Sequence, residues 1–150
     1  MKFREAVLED LALLYEIEQQ VIEAERAYNS SIKVVKTSYY DIEKLISDSS
    51  SYLIVAEVDD VIIGTGYAQL QSSKQSLQHF SHSYLGFMYV SLLYRGKGIN
   101  KQIIENLISW SRSQGVKDYY LDVYIGNKSA IRAYEKFGFK ANLVEMKFSS

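Results

Sequence analysis

The chain contains neither cysteine nor proline. Without cysteine there is no disulfide, no thiolate metal site and no cysteine nucleophile, which accords with a reducing compartment. Only two histidines occur, His79 and His82, three apart in a polar stretch. They are too few for an imidazole metal site unless carboxylates complete it, so no metal is expected. Without proline, the turns fall to Gly, Asn, Asp and Ser. Neither sign of charge dominates: 17 Lys and Arg against 18 Asp and Glu give a net charge of −1. Nucleic-acid binding usually brings a basic surplus, so no nucleic-acid partner is expected. No apolar run approaches the roughly 20 residues that cross a bilayer, and Met1-Lys2-Phe3-Arg4-Glu5 lacks an apolar segment of signal-peptide length. The expectation is a cytoplasmic protein with no membrane attachment. Tyrosine, by contrast, is abundant: 13 residues, each joining apolar area to a hydroxyl suited to lining a polar pocket. A chain of 150 residues has the size of one domain, residues 1–150, and can bury about 70% of its unfolded surface.

The pattern alternates helices and strands. Leu11, Leu14, Ile17 and Val21 recur at helical spacing and predict a first helix over Glu9–Ala24, with Glu9 and Asp10 at its acid-favouring start. A shorter helix is predicted over Ser38–Ser47, with Ser38 and Asp41 as a capping box and Ile42, Leu45 and Ile46 facing inward. Tyr52–Val58 and Val61–Leu70 flank Asp59-Asp60 and read as a hairpin with a tight acidic turn. Gln71–Ser83 reads as a loop and Tyr84–Ser91 as a buried strand broken only by Gly86, which marks a bulge or the close approach of a ligand. Gly98–Gln114 is the best-defined amphipathic helix, stopped by Gly115. A strand over Tyr119–Tyr124, a helix over Asn127–Phe137 ended by Gly138, and a last strand with Val144, Met146 and Phe148 alternating complete the order. The hairpin demands antiparallel pairing early, and the strand-helix-strand second half demands parallel crossover pairing, so the fold class is mixed α/β. The last strand and the apolar ends make a homodimer an open expectation.

The chemistry concentrates in Val90-Ser91-Leu92-Leu93-Tyr94-Arg95-Gly96-Lys97-Gly98-Ile99-Asn100, between the buried strand and the long helix. Gly96 and Gly98 free backbone N–H groups to face an anion, and the helix N-terminus adds partial positive charge. Arg95, Lys97 and Lys101 add three cations within seven residues, each charge-assisted bond to a phosphate contributing about 1.5–3 kcal/mol. The plain alternative is a basic turn that only caps a helix. The segment is neither Gly-x-Gly-x-x-Gly nor a P-loop, since Ile99 and Asn100 follow Gly98.

Arg95-Gly96-Lys97-Gly98-Ile99-Asn100 resembles the pyrophosphate motif of the GNAT superfamily of acyl-CoA-dependent N-acetyltransferases: Gln or Arg, two variable residues, Gly, one variable residue, then Gly or Ala. Asn127, Ala130-Ile131, Tyr134, Lys136 and Gly138-Phe139 resemble a second element of that family, and the likeness spans about Tyr52 to Phe139. It implies a three-layer fold with antiparallel N-terminal strands and a splayed parallel pair at the acyl-CoA site. It also implies acetyl-CoA as co-substrate, backbone groups near Met88 and Val90 pairing with the pantetheine arm, and N–H groups from Gly96 through Asn100, Ile99 included, holding the pyrophosphate. The departure is Asn100, whose side chain stands where the family has Gly or Ala and bears on cofactor affinity. Asn127 resembles the Asn that hydrogen-bonds the cofactor, and it is equally a good helix N-cap. Tyr134 resembles the Tyr that protonates the departing thiolate; without the motif it reads as a core aromatic.

The resemblance implies acetyl transfer to a primary amine of a small molecule or a peptide. With no Cys and no readable Ser-His-Asp arrangement, direct attack in a ternary complex is the simplest route. A lysine-like amine with pKa about 10.4 costs about 4–5 kcal/mol to deprotonate at pH 7, so a base or water chain is expected. Tyr84–Ser91 holds no carboxylate; Glu57, Asp122, His79 and His82 are the alternatives, with Tyr84 a relay. Glu23, Glu25, Tyr28, Tyr39 and Tyr40 suit a cationic acceptor. The rival reading is a non-catalytic acyl-CoA sensor of the same fold; a second is a phosphate nest for another nucleotide.

Overall fold

Asp59 and Asp60 both take left-handed φ, 50° and 64°, as in a type I′ turn whose twist matches that of the strands it joins. In the computed structural model, which describes residues 1–150, they close the hairpin between β2 (Ser51–Val58) and β3 (Val61–Ser72). β1 (Lys2–Glu5) lies antiparallel on β2, with Phe3 opposite Ala56. β4 (Ser81–Val90) lies antiparallel on β3, and β5 (Tyr119–Tyr120) is parallel to β4, giving the spatial order β1-β2-β3-β4-β5. The mixed sheet is antiparallel on its N-terminal side and parallel at its far edge.

Both faces of the sheet are covered, and so β2 reads as a continuous apolar run. On one face α1 (Leu11–Glu25) and α2 (Ile42–Ser47) bury Leu14, Ile17, Ile42 and Leu45 against Leu53, Val55, Tyr67 and Phe87. On the other, α3 (Ile99–Ser113) lays Ile99, Ile103, Ile104 and Leu107 on Ile54, Ala56, Ile63, Ala68 and Leu85. Each such aliphatic side chain contributes about 1.5–3 kcal/mol by leaving water. α4 (Lys128–Phe137) adds Tyr134 and Phe137 to the rim of this second cluster. The Arg4 guanidinium ties the start of the chain together by donating to Asp10 at 2.8 and 2.9 Å and to Glu57 at 3.0 Å.

Several elements differ from the sequence expectation. The first helix begins with a 3-10 turn, Leu8–Asp10, before α1. The second begins at Ile42 rather than Ser38: the Asp41 side chain accepts from Lys44 N at 3.2 Å and caps it alone. The preceding stretch is held differently. Glu18, fully buried on α1, accepts the N–H groups of Tyr39 and Tyr40 at 3.0 and 2.9 Å. β3 and β4 extend into the polar segment, pairing Gln71 with His82 and Ser72 with Ser81, because the ladder continues wherever the hairpin twist is kept. β5 has two residues instead of six, and no last strand forms. Leu143, Val144, Met146 and Phe148 are exposed; alternation shows that one face could be buried, but a ladder also needs an edge, and β5 offers only a short one.

Candidate active site

β4 and β5 meet only at Ser83↔Tyr119 and Tyr84↔Tyr120. Beyond Tyr84, β4 runs on to Val90 without a strand neighbour on that side, and a wedge opens between it and the segment that follows β5. Within the wedge the register of β4 on β3 slips by one residue: Tyr67 faces Gly86, whereas Thr65 faces Tyr89. The extra residue makes a bulge, and Phe87 takes φ 53°. That conformation costs a side-chain-bearing residue about 1–2 kcal/mol; the ring is buried, with its centroid 4.8 Å from that of Tyr40, which offsets the cost. Gly86 is required by packing. A Cβ there would lie 2.5 Å from the Tyr67 ring, so the close approach is made by an aromatic side chain. Met88 lies in the bulge and Val90 at the strand's end, both on the stretch without a β5 partner.

The wedge leads into the glycine turn. Ser91 N donates to Ile63 O at 2.7 Å, a 3-10 turn follows over Leu92–Tyr94, and Gly96 and Gly98 then take φ 77° and 78°. A Cβ at either would meet nothing within 4 Å, so these glycines answer a conformational demand rather than crowding. The consequence is an array of backbone donors. From Gly96 through Lys101 no N–H meets a carbonyl or side-chain acceptor, and the first bond of the helix is Gln102 N to Gly98 O at 3.1 Å. These donors open α3, whose dipole adds partial positive charge. Lys97 Nζ stands 5.4 Å over the Tyr94 ring, Lys101 lies 4.0 Å from Glu105, and Arg95 Nε donates to Val90 O at 2.9 Å. The Arg95 bond braces the turn against the end of β4. Asn100 is half-buried and its side chain makes no hydrogen bond within the chain. A run of unpaired N–H groups at a helix start, ringed by cations, suits a diphosphate.

Asn127 is the N-cap of α4: its Oδ1 accepts from Ala130 N at 3.3 Å and Ser129 Oγ at 3.4 Å, leaving the side-chain NH2 uncommitted. Capping and ligand binding are therefore compatible. Tyr134, on the same helix, packs edge-on against Phe139 at 5.9 Å. Burial, and next the nearby Glu25 carboxylate, push its pKa up to about 12, so the phenol stays protonated at neutral pH as a proton donor must.

The structure separates the proposed bases. Glu57 is tied to Arg4, on the β2 residue opposite Lys2, away from the wedge. His79 and His82 both reach Ser73 Oγ, at 2.6 and 2.9 Å through Nδ1, and His79 Nε2 meets the Tyr120 hydroxyl at 2.9 Å. Burial and then the neighbouring His79 lower the His82 pKa. Asp122 lies just past β5 and accepts the Tyr84 hydroxyl at 2.9 Å, across the mouth of the wedge. Glu25, which the sequence placed among acceptor-facing residues, is brought close enough to Tyr134 to perturb its ionisation. An open groove of about 930 Å³ is lined by Tyr15, Gln19, Lys36 and neighbours and contains none of Gly96, Asn127 or Tyr134.

Comparison with known proteins agrees with this geometry. Residues 13–139 match the model of the acetyltransferase (GNAT) family. N-acetyltransferase 8 of Rattus norvegicus is 32% identical over 113 residues, covering 72% of this chain and 48% of that protein. Human N-acetyltransferase 8B is 29% identical, covering 71% of this chain and 46% of its own length. The chain thus spans about half the length of the curated relatives it matches. Among solved structures, a tetramutant of the BH1408 protein of Bacillus halodurans superposes with TM-score 0.88 at 23% identity over 100% of both chains. A predicted acetyltransferase of Clostridium acetobutylicum, solved with acetyl-CoA, superposes with TM-score 0.74 at 18% identity, over 99% of this chain and 95% of that one. A match running from within α1 past the end of α4 takes in the wedge, the glycine turn and the tyrosine helix together, and by it the chain belongs to the GNAT acetyltransferase family.

Proposed function

We propose that this chain transfers the acetyl group of acetyl-CoA to a primary amine by direct attack in a ternary complex. The observation that carries the reading is the unbroken set of unpaired N–H donors from Gly96 to Lys101, at the start of α3 and beside the unpaired side of β4. In this reading Gly96, Lys97, Gly98, Ile99, Asn100 and Lys101 hold the diphosphate through backbone N–H groups, with the Lys97 and Lys101 side chains adding charge. Arg95 stabilises the turn through Val90 and presents its remaining guanidinium donors outward. The unpaired β4 edge at Met88 and Val90 offers backbone groups to the pantetheine amides, by the hydrogen bonding that a sheet edge offers any extended chain. Asn127 adds its free amide. The cofactor then points its thioester into the wedge, toward Tyr134.

The neutral amine nitrogen forms its bond to the acetyl carbon as the C–S bond breaks, the electron pair stays on sulfur, and the proton the nitrogen then sheds returns through solvent to the Tyr134 oxygen. Tyr134, held protonated by its partly apolar setting, supplies a proton to that sulfur. The acceptor is a small amine or a peptide side chain, and no helix is long and apolar enough to cross a membrane.

The test is calorimetric titration with CoA, followed by release of free CoA from acetyl-CoA in the presence of an amine panel. The expected result is saturable CoA binding and amine-dependent thiol release with intersecting initial-velocity lines. Failure to bind CoA overturns the reading. Parallel lines overturn the ternary complex, and binding without turnover on the panel favours the sensor.

A further inference from the structure

The second wall of the wedge is a chain without a ladder. From Leu121 to Gly126 no backbone N–H donates to a backbone carbonyl, and the next such bond is Asn127 N to Tyr124 O at 2.9 Å. A segment of this kind takes its position from its side chains. Leu121 packs on the cluster beneath α3. At the far end Tyr124 stacks on Tyr28 with centroids 6.3 Å apart, and its hydroxyl accepts from Asn29 Nδ2 at 2.9 Å, which fastens it to the loop after α1. Between these anchors, the hydrogen bond that crosses the wedge is Tyr84 Oη donating to Asp122 Oδ2 at 2.9 Å. Tyr84 stands opposite Tyr120 at the last pair of the β4–β5 ladder, and Asp122 follows two residues on, so the bond spans the point at which the chains part. The Tyr84 ring lies against that of Tyr67, centroids 6.3 Å apart, and the Tyr67 ring in turn fills the space over Gly86. A phenol has only two side-chain torsions, so a packed ring makes a strut of fixed length. Burial, and then Asp122 itself, raise the Tyr84 pKa, so the phenol keeps its proton and remains the donor. Asp122 is exposed and belongs to no salt bridge; the phenol is its partner.

We propose that Tyr84 and Asp122 are positioning residues: their bond holds the chain after β5 at a set distance from β4, and so pre-forms the slot that the pantetheine arm enters. The inference rests on the acetyl-transfer reading and deepens it, since it concerns how the cofactor site is shaped and not which group reacts. Met88 and Val90 present the unpaired β4 edge from one side. The facing chain has no ladder to fix it, so its distance from β4 must come from a side-chain tie. A slot fixed before binding avoids the ordering that a loose wall would cost at each binding event, and the difference appears as affinity. The diphosphate, by contrast, is read as held by Gly96–Lys101 at the start of α3, which the tie does not touch. Losing the tie therefore weakens the grip on the arm and leaves the grip on the diphosphate alone. Once the thioester is in place, its reaction depends on Tyr134 and on the amine, so turnover at saturation is unaffected. The competing role for Asp122, that of the base which takes the amine proton, makes the opposite prediction for Asp122→Asn. An amide oxygen accepts the hydrogen bond of the phenol as a carboxylate does, but it takes no proton.

The experiment compares wild type, Tyr84→Phe, Asp122→Ala, Asp122→Asn and the double variant that joins the first two substitutions. Calorimetry measures affinity for CoA and, by competition, for ADP, which carries the diphosphate and no pantetheine arm. Thiol release with the amine panel at varied acetyl-CoA gives KM and kcat, and circular dichroism checks the fold. Tyr84→Phe and Asp122→Ala are each expected to weaken CoA binding about 3–10-fold, the weight of one hydrogen bond, and the double variant no further. KM for acetyl-CoA rises in step, with kcat within about twofold of wild type. ADP affinity stays unchanged, a split that a general loosening of the fold would not produce. Asp122→Asn recovers most of the CoA affinity that Asp122→Ala loses. Tyr84→Phe deletes one oxygen from a packed ring, so it decides the matter if Asp122→Ala misfolds. Unchanged CoA affinity in either single variant overturns the tie, and so does an equal loss for ADP. A fall of about 100-fold or more in kcat for Asp122→Asn makes Asp122 the base and overturns it likewise. If CoA binds but no amine turns over, the calorimetry decides alone. Absence of CoA binding to the wild-type protein defeats the acetyl-transfer reading, whereas CoA binding that the variants leave untouched defeats only the tie.

Discussion

Replacing Gly98 by alanine isolates the geometry of the donor array. Gly98 has φ 78°, and a methyl group there would touch nothing within 4 Å, so the substitution adds no clash and removes no contact. What remains is the backbone preference: holding alanine in the left-handed region costs about 1–2 kcal/mol. That cost must surface in one of two measurements. If the turn keeps its shape, the protein loses about 1–2 kcal/mol of unfolding free energy and CoA affinity is unchanged. If the turn relaxes to negative φ, stability is kept, the N–H groups no longer converge, and CoA affinity falls by up to the factor of roughly 5–30 that the same energy represents. Urea denaturation and CoA calorimetry on one preparation measure both. Asparagine, which tolerates positive φ far better than alanine, provides the control, and Gly98→Asn is expected to recover most of whatever Gly98→Ala loses. A Gly98→Ala protein with unchanged stability and unchanged CoA affinity would refute the account of the turn.

Other expectations follow from single contacts. Gly86→Ala forces a Cβ to within 2.5 Å of the Tyr67 ring and should cost about 1–3 kcal/mol in urea denaturation, since overpacking displaces a buried aromatic; a neutral result would mean that the bulge adapts freely. Tyr134→Phe should lower kcat at least tenfold with CoA affinity preserved, as expected of a proton donor to the leaving thiolate, and unchanged turnover would remove Tyr134 from the chemistry. The Arg4 guanidinium holds the Asp10 carboxyl below the usual range. With the folded pKa depressed, that contribution is fully present above the unfolded value near 3.9 and is lost as pH falls through the folded pKa. Urea midpoints measured from pH 6 downward should therefore fall, and less steeply in Asp10→Asn; equal slopes would show that the pair does not contribute.

Local chemistry was legible in the residues themselves. The Asp59-Asp60 turn, the amphipathic face of α3, the glycine stops at Gly115 and Gly138 and the cation-flanked Gly96-Lys97-Gly98 bend each depend on neighbours a few positions away. Period, turn preference and capping act at that range, so the sequence determined the element order as far as α4 and the position of the glycine turn. Tertiary structure decided what depends on distant partners. Glu18 accepts two backbone N–H groups of the stretch before α2 from 21 and 22 residues away, a pairing that no local pattern encodes. The bulge at Phe87 arose next to Gly86 because Tyr67 occupies the space above the glycine and Tyr40 covers the displaced ring. β5 stopped after two residues, and the alternating apolar segment from Val144 to Phe148 found no edge to join. Glu25 and Tyr134 lie far apart in the sequence, and the burial of each raises its pKa; an ionisable group's strength is set by what surrounds it, and that is fixed only when the chain is folded.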